Sequence, residues 1–215
     1  GGDLPAGSMI GWNNWTGGSW AGWFVAHTSQ LYRVPKEIAD EQAVLTDPVA
    51  GALHAVLRVR PSDHARVLIQ GAGLLGMGVA ASIRALGGRC EMTALVRHDC
   101  QAELMRRFGV DHTIPVARGE NQATRYGRVA ARIGGRVVPS KFGHQAFIGG
   151  YDLVYDCVGS GQSLTDAMKY ARAGGTVVEV GTSQICLVDT APLWFDELTL
   201  IGANGRAFEE YRGRR

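Results

Sequence analysis

The sequence predicts an α/β protein whose main part is a doubly wound, open parallel sheet of six strands. Short apolar runs bounded by turn residues alternate with longer segments of helical periodicity, and this alternation is typical of βαβ units. The composition, with 46% hydrophobic and 20% charged residues in a chain of 215, is that of an ordinary globular protein. A sheet with helices on both faces follows from these two observations.

Six apolar runs are predicted to be the strands of this sheet: residues 67–69, 92–96, 112–114, 153–157, 176–180 and 198–201. Helical patterns occupy most of the intervals between them. Residues 134–150 fit no regular element, and we expect a long loop or a small hairpin there.

Two helix starts are predicted from capping signals. Asp47 precedes Pro48, which suits a helix with Asp at the N-cap and Pro in the first turn. The spacing Ser163-x-x-Asp166 resembles a capping box that opens a later helix. The Gly174-Gly175 pair is predicted to end that helix.

Residues 1–40 differ from the rest of the chain. They are rich in glycine and hold four of the five tryptophans, without helical periodicity. Residues 22–27 and 29–35 are predicted to be short strands. Because large aromatic side chains without a core of their own pack on something else, we interpret residues 1–40 as the end of a neighbouring domain with a linker. Residues 41–215 are predicted to be the sheet domain.

The charge and cysteine content exclude several classes of protein. A net charge of +2 indicates neither a nucleic-acid partner nor a membrane surface. No apolar run approaches the roughly 18–20 residues that span a bilayer. The four cysteines are scattered and show no Cys-x-x-Cys spacing, which argues against a zinc finger and a disulfide scaffold. A reduced, cytoplasmic setting is therefore expected.

A Gly-x-Gly-x-x-Gly turn directly follows the first predicted strand. Gly71 permits the tight turn, Gly73 lets the backbone approach a pyrophosphate, and Gly76 lets the next helix pack closely on the strand. Leu74 and Leu75 supply the adjoining backbone amides at the helix N-terminus. The sequence therefore predicts a Rossmann dinucleotide-binding sheet. The alternative is a helix-packing turn that binds no ligand.

The end of the second strand bears on the choice between NAD and NADP. A NAD enzyme of this type needs a carboxylate there to accept hydrogen bonds from the ribose hydroxyls, but the chain has Val96, followed by Arg97 and His98. A missing carboxylate removes repulsion of a 2′-phosphate, and a guanidinium can pair with that phosphate. NADP is therefore preferred over NAD as the predicted cofactor. Alternatively, Arg97 stacks on adenine or points to solvent.

A further group of residues is predicted to lie at or just beyond the carboxyl ends of later strands, where ligands bind in open α/β sheets. These residues are Val158, Gly159, Val180, Gly181, Thr182, Gly202 and Ala203. Small residues at these positions suit a close approach of the backbone to a cofactor, and they also suit ordinary turns.

Several ordered motifs resemble the medium-chain, zinc-dependent alcohol dehydrogenases, and most closely the branch that contains sorbitol and threonine dehydrogenases. The motifs are Gly-Trp-Phe-Val-Ala-His at 22–27, the segments 47–56 and 67–76, Tyr-Asp-Leu-Val-Tyr-Asp-Cys-Val-Gly at 151–159, and the segments 171–181 and 198–202. The resemblance implies that the chain is mainly the cofactor-binding domain. It also implies that residues 1–40 are a remnant of a GroES-like β domain, and that the strand-end residues line the adenine, ribose and nicotinamide.

The resemblance implies a nicotinamide-dependent oxidoreductase that acts on a small alcohol or carbonyl substrate, of the secondary alcohol or polyol dehydrogenase type. It implies zinc in the full-length enzyme, with Asp47 at the place of a zinc ligand or of a carboxylate beside the metal. No catalytic residue is assigned, the chain by itself is expected to be inactive, and a homo-oligomer is possible. The alternatives are a zinc-free enone or quinone reductase and a non-catalytic NAD(P)-binding module.

Overall fold

The computed structural model describes residues 8–11, 17–139, 145–182, 185–205 and 211. The chain forms two compact units, residues 1–44 and residues 45–215. In the described part of the first unit, the regular elements are a 3₁₀ turn at Thr28–Gln30 and a short helix α1 at Asp40–Ala43.

The strands predicted at 22–27 and 29–35 are wrong. Residues 22–27 have no regular structure, and part of the second segment forms the 3₁₀ turn. A strand is stable only when its backbone groups pair with a neighbour, and within the described residues no strand of this unit offers that pairing.

The second unit contains the regular α/β part of the chain. Its helices are α2 (Thr46–Arg58), α3 (Leu74–Ala85), α4 (Asp99–Arg107), α5 (Gln122–Arg132), α6 (Gly161–Tyr170) and α7 (Ala191–Phe195). Its strands are β1 (Arg66–Gln70), β2 (Glu91–Val96), β3 (His112–Pro115), β4 (Arg136–Pro139), β5 (Gln145–Ile148), β6 (Tyr151–Asp156), β7 (Ala171–Glu179) and β8 (Thr199–Gly202).

The main sheet has six parallel strands in the order β3-β2-β1-β6-β7-β8. The predicted doubly wound sheet is therefore confirmed, and every predicted strand of it is present. The order reverses between β1 and β6, which are neighbours. The carboxyl ends of these two strands form the crevice in which open α/β sheets bind their ligands.

Two apolar clusters cover the two faces of this sheet. Val67 and Ile69 of β1 belong to the cluster that includes residues of α2, α3 and α4. Leu68, between them in sequence, belongs to the cluster that includes residues of α5 and α6. Alternate residues of the strand thus face opposite layers, and Gln70 lies on the same side of β1 as Leu68.

Residues 136–148 include the small hairpin that was one of two predicted alternatives for this region. β4 pairs with β5 in antiparallel register, and residues 140–144 between them lie outside the described residues. Phe147 of β5 packs edge-to-face on Tyr126 and Tyr170, with ring centroids 6.4 and 5.6 Å away. The hairpin is thereby joined to the cluster under α5 and α6.

The prediction that Asp47 caps helix α2 is wrong. The helix begins at Thr46, so Asp47 lies within its first turn and Leu45 is the N-cap residue. Leu45 already has near-helical backbone angles, with φ −83° and ψ −3°, and the helix therefore begins before Asp47 could take the extended cap conformation. A carboxylate in the first turn still interacts favourably with the helix dipole.

The predicted capping box at Ser163 and Asp166 is also wrong. Ser160 is the N-cap of α6, and its hydroxyl accepts a hydrogen bond from the Ser163 N–H at 3.1 Å. The Ser163 hydroxyl oxygen accepts in turn from the Ser160 N–H at 2.9 Å. Helix α6 ends at Tyr170, and Gly174 and Gly175 belong to β7.

We expect Gly127→Ala to stabilise the protein by about 1 kcal/mol, because alanine loses less conformational entropy in a helix than glycine. Gly127 lies exposed inside α5, and an added Cβ would meet no atom within 4 Å. Chemical denaturation of both proteins measures the difference. A loss of stability would show that α5 does not extend through this position.

Candidate functional site

The glycine turn joins β1 to α3 by a close approach of backbone to backbone. Gly71 has φ +98°, a left-handed conformation that favours glycine. A Cβ atom added to Gly76 would lie 2.0 Å from the Gly71 carbonyl oxygen. The first turn of α3 can therefore sit directly against the end of β1 only while residue 76 is glycine.

The N-terminus of α3 presents free amides beside an open space. The first bond within the helix joins the Met77 N–H to the Gly73 carbonyl at 2.9 Å, so the N–H groups of Leu74, Leu75 and Gly76 have no acceptor within the helix. A Cβ atom added to Gly73 would meet no atom within 4 Å. This geometry suits a phosphate, which needs both the amides and the room.

A cleft of about 410 Å³ lies at the carboxyl ends of the strands. Four of the predicted residues line it: Gly71, Gly73, Arg97 and Val158. The rest of the lining consists of residues that are not among the predicted cofactor contacts: Gln70, Ala72, Leu95, Gln101, Val116, Arg125, Cys157, Ser160, Gln162, Ser163 and Asp166. The cleft includes residues after β1, β2, β3 and β6, and it therefore occupies the crevice where the strand order reverses.

The residues after β2 present a cation to this cleft. Val96 ends the strand and is buried, whereas Arg97 and His98 are exposed and only Arg97 of the three lines the cleft. The Gln101 side-chain oxygen accepts from the Arg97 N–H at 2.9 Å and from the His98 N–H at 3.3 Å. The Arg97 guanidinium makes no ion pair with any described residue, and its charge remains available for a ligand.

The turns after β6 and β7 pack against each other. A Cβ added to Gly159, which has φ +75°, would lie 2.7 Å from backbone atoms of Gly181 and Thr182. The N–H groups of Val180 and Gly181 both donate to the Asp156 carbonyl at 2.9 Å. The two turns are thus held together at the carboxyl edge, beside the cleft.

The last two predicted cofactor residues lie at the end of β8. Gly202 is the final residue of that strand, and the Ala203 N–H donates to the Glu179 carbonyl at 2.9 Å. Both residues share the carboxyl edge with the other predicted positions, but neither lines the cleft.

Buried Asp156 fixes the turn after β6. Its carboxylate accepts from the Val158 N–H at 3.0 Å and from the Ser163 hydroxyl at 2.9 Å. Burial raises the pKa of this carboxyl group, and the hydrogen bonds offset part of that rise. Burial and the nearby Asp156 charge also raise the pKa of the Cys157 thiol, which opposes formation of a nucleophilic thiolate.

A buried polar network forms the wall of the cleft between α5 and α6. Arg125 makes an ion pair with Asp166. Asp166 also accepts from the Tyr126 hydroxyl at 2.5 Å and from the Gln162 amide at 2.9 Å. Burial lowers the pKa of the Arg125 guanidinium, but the interactions with Asp166 and Tyr170 together outweigh that effect and raise this pKa. No local motif in the sequence marks this pair, whose members are 41 residues apart.

Comparison with known proteins identifies the family. The family model described as zinc-binding dehydrogenase matches residues 75–213. The chain belongs to the zinc-binding dehydrogenase family. The matched residues include α3 from its second residue onward and every strand of the main sheet except β1. They also include most of the residues that line the cleft.

Curated relatives match this chain over most of its length. L-threonine 3-dehydrogenase of Anaeromyxobacter sp. (strain K) is 28% identical over 194 residues, which cover 90% of this chain and 51% of that protein. The chain thus spans about half the length of the curated relatives it matches.

Two solved structures show the same architecture. A Sinorhizobium meliloti 1021 protein bound to NADP is 22% identical and has a TM-score of 0.63, with 84% of this chain and 49% of that one covered. An alcohol dehydrogenase (rspB) of Escherichia coli CFT073, complexed with NADH, is 20% identical and has a TM-score of 0.65, with 83% and 48% covered. At these identities the likeness shows the fold.

The described residues do not by themselves form the zinc site that the family name implies. Among them, no three His, Cys, Asp or Glu side chains are placed to hold a metal ion. Asp47 is exposed in the first turn of α2, and its role as a zinc ligand stays a prediction.

The described helices are all too short or too polar to cross a membrane.

We expect Gly76→Ala to destabilise the protein by about 3 kcal/mol or more, because its Cβ would overlap the Gly71 carbonyl and force α3 away from β1. Gly73→Ala should cost less than about 1 kcal/mol, since the new Cβ enters open space and only the N-cap preference is lost. Urea unfolding compares the two variants with the wild type. Equal losses would show that the close contact at Gly76 does not hold the turn.

Proposed function

We propose that this chain binds a nicotinamide dinucleotide for a dehydrogenase of the secondary alcohol or polyol type. The observation that carries the proposal is the open space at Gly73 beside the free amides of α3, in a cleft at the switch point of the sheet. Family membership and the NADP-bound and NADH-bound structures of similar fold support the nicotinamide dinucleotide as the ligand.

The residues of this chain would position the cofactor. The amides of Leu74, Leu75 and Gly76 would bind the pyrophosphate, and the turns that contain Val158, Gly159 and Gly181 would line the path toward the nicotinamide. The bound cofactor supplies the hydride acceptor or donor for an alcohol or carbonyl substrate. We assign residues 41–215 to the cofactor domain and residues 1–40 to the end of a catalytic GroES-like domain with a linker.

We further propose that the cofactor is NADP in preference to NAD. The unpaired guanidinium of Arg97 lines the cleft directly after Val96, which takes the place of the carboxylate of a NAD enzyme, and a 2′-phosphate offers the guanidinium a charge-assisted bond. Zinc would be bound at a site to which Asp47 contributes one oxygen ligand and other residues contribute the remaining ligands. A zinc-free reductase of the same family would reduce enones or quinones. A non-catalytic binding module would turn over neither these compounds nor alcohols. Turnover assays of the complete enzyme, with its zinc content measured, separate these alternatives.

Cofactor binding is tested with Gly73→Ala. We expect this variant to fold normally and to bind NADPH and NADH about tenfold more weakly or worse, because its methyl group occupies the space of the pyrophosphate. One charge-assisted hydrogen bond contributes about 1.5–3 kcal/mol, and about 1.4 kcal/mol corresponds to a tenfold change. Titration calorimetry measures the affinities, with Gly127→Ala as a glycine variant outside the cleft. Unchanged binding by Gly73→Ala would place the phosphates elsewhere.

The 2′-phosphate preference is tested with Arg97→Ala. We expect the wild type to bind NADPH more tightly than NADH, and the variant to lose about tenfold in NADPH affinity with little change for NADH. Arg89→Ala is the matched control, since Arg89 is exposed and precedes β2 whereas Arg97 follows it. Equal affinities for the two cofactors in the wild type would contradict the proposed role of Arg97.

A further inference from the structure

Gln70 combines a buried position with an unpaired acceptor. It is the last residue of β1, its residue exposure is 5%, and it lines the cleft directly before Gly71. Its side-chain Nε2 donates to the Ser163 carbonyl at 2.8 Å. Because a carbonyl oxygen only accepts, this bond fixes which end of the amide faces Ser163. The other end, Oε1, is buried and has no hydrogen-bond partner among the described residues.

An unpaired buried acceptor is costly, because the group has lost its hydrogen bonds to water without gaining a donor in the protein. Native structures therefore supply the donor from the protein, from a water molecule or from a ligand. The described protein atoms do not supply it here. The position of Gln70 at the cleft makes a ligand group available as the donor.

Arg125 adds a donor to the same cleft. Its Nη2 donates to Asp166, and its Nε donates to the Tyr170 hydroxyl at 3.2 Å. Nη1 makes no hydrogen bond with the part of the chain that the structure describes. The ion pair with Asp166 holds the guanidinium in place. The two residues that line the cleft thus hold one acceptor, on Gln70, and one donor, on Arg125, without a partner among the described residues.

The adenosine half of the dinucleotide is the part that this cleft suits. Leu95, Arg97 and Val116 of the lining come from the ends of β2 and β3. In this fold the first half of the sheet, which contains β1 to β3, binds the adenosine, and the end of the second strand contacts its ribose. Leu95 and Val116 offer apolar contacts to a flat base.

We propose that Gln70 determines specificity for adenine, by accepting a hydrogen bond on Oε1 from the exocyclic amino group of the base. Arg125 Nη1 donates to a ring nitrogen of the same base. Adenine presents an amino donor and ring-nitrogen acceptors, which match this pair of protein groups. Hypoxanthine and guanine carry a carbonyl oxygen in place of that amino group, and two acceptors would then face each other. This inference rests on the proposed dinucleotide function.

The experiment compares dinucleotides that differ in the base. NADH and NADPH are titrated calorimetrically into the protein, each beside its analogue in which hypoxanthine replaces adenine. The wild type should bind the adenine form about tenfold more tightly, as expected for one hydrogen bond exchanged for an unpaired buried acceptor. In Gln70→Leu the ratio of the two affinities should fall to within about threefold of one.

A matched control separates recognition of the base from general destabilisation. Gln145→Leu removes another half-buried amide, whose Oε1 also has no hydrogen-bond partner among the described residues, but which does not line the cleft. This variant should keep the wild-type ratio. Gln70→Met, with a side chain of similar length, serves if loss of the Ser163 contact prevents Gln70→Leu from folding, and it should lower the ratio in the same way.

The outcomes distinguish this inference from the proposed function. Tight binding of both bases with equal affinity overturns the role of Gln70 and leaves the dinucleotide function intact. The role of Gln70 is likewise overturned if its variants weaken both ligands and keep the wild-type ratio. If the wild type binds none of the four dinucleotides, the proposed function fails, and the inference fails with it.

Discussion

The contact between Gly76 and the carbonyl of Gly71 is the constraint on which the rest of the structure depends. It allows α3 to begin directly at the end of β1, with its first amides at the edge of the sheet. The same edge receives the turn after β6, because β1 and β6 are neighbours and their register places Gln70 opposite Asp156. One backbone approach thus brings together the free amides at the start of α3 and the switch point of the sheet.

Buried carboxylates hold the remaining walls of the cleft. Asp156 joins the turn after β6 to the first turn of α6, and Asp166 joins α6 to α5. Both are almost fully buried, and each accepts several hydrogen bonds, as a carboxylate in a low-dielectric interior requires. The positions of the side chains in the cleft are consequently set by polar contacts as well as by apolar packing.

The sheet and the glycine turn could be predicted from the sequence, because both follow from local patterns. Apolar runs such as 67–69 indicate buried strands wherever they occur, and three glycines at fixed spacing identify the turn. The helix starts predicted at Asp47 and Ser163 are wrong because the N-cap position depends on backbone angles. Neighbouring residues, here Leu45 and Ser160, take those positions instead. The strands expected near the N-terminus failed because β-structure needs a partner.

The polar lining of the cleft could not be predicted, for a different reason. Arg125 and Asp166 meet only after two helices have packed on the same face of the sheet, and no sequence motif relates one residue to the other. Nothing in the sequence distinguishes Gln70, because its neighbours are apolar or glycine and its unpaired oxygen becomes visible only in three dimensions. Arg97 was found because its position relative to the glycines has a defined chemical meaning.

The β4–β5 hairpin has a mechanical consequence. The hairpin connects the end of α5 to the start of β6. It therefore lies near the amino ends of the strands, at the edge of the sheet opposite the cleft. Phe147 nevertheless packs on Tyr126 and Tyr170, whose hydroxyls contact Asp166 and Arg125. The hairpin therefore supports the wall of the cleft that lies between α5 and α6. The packing of three aromatic rings thus connects the hairpin at one edge of the sheet with the side chains that hold the cleft at the other.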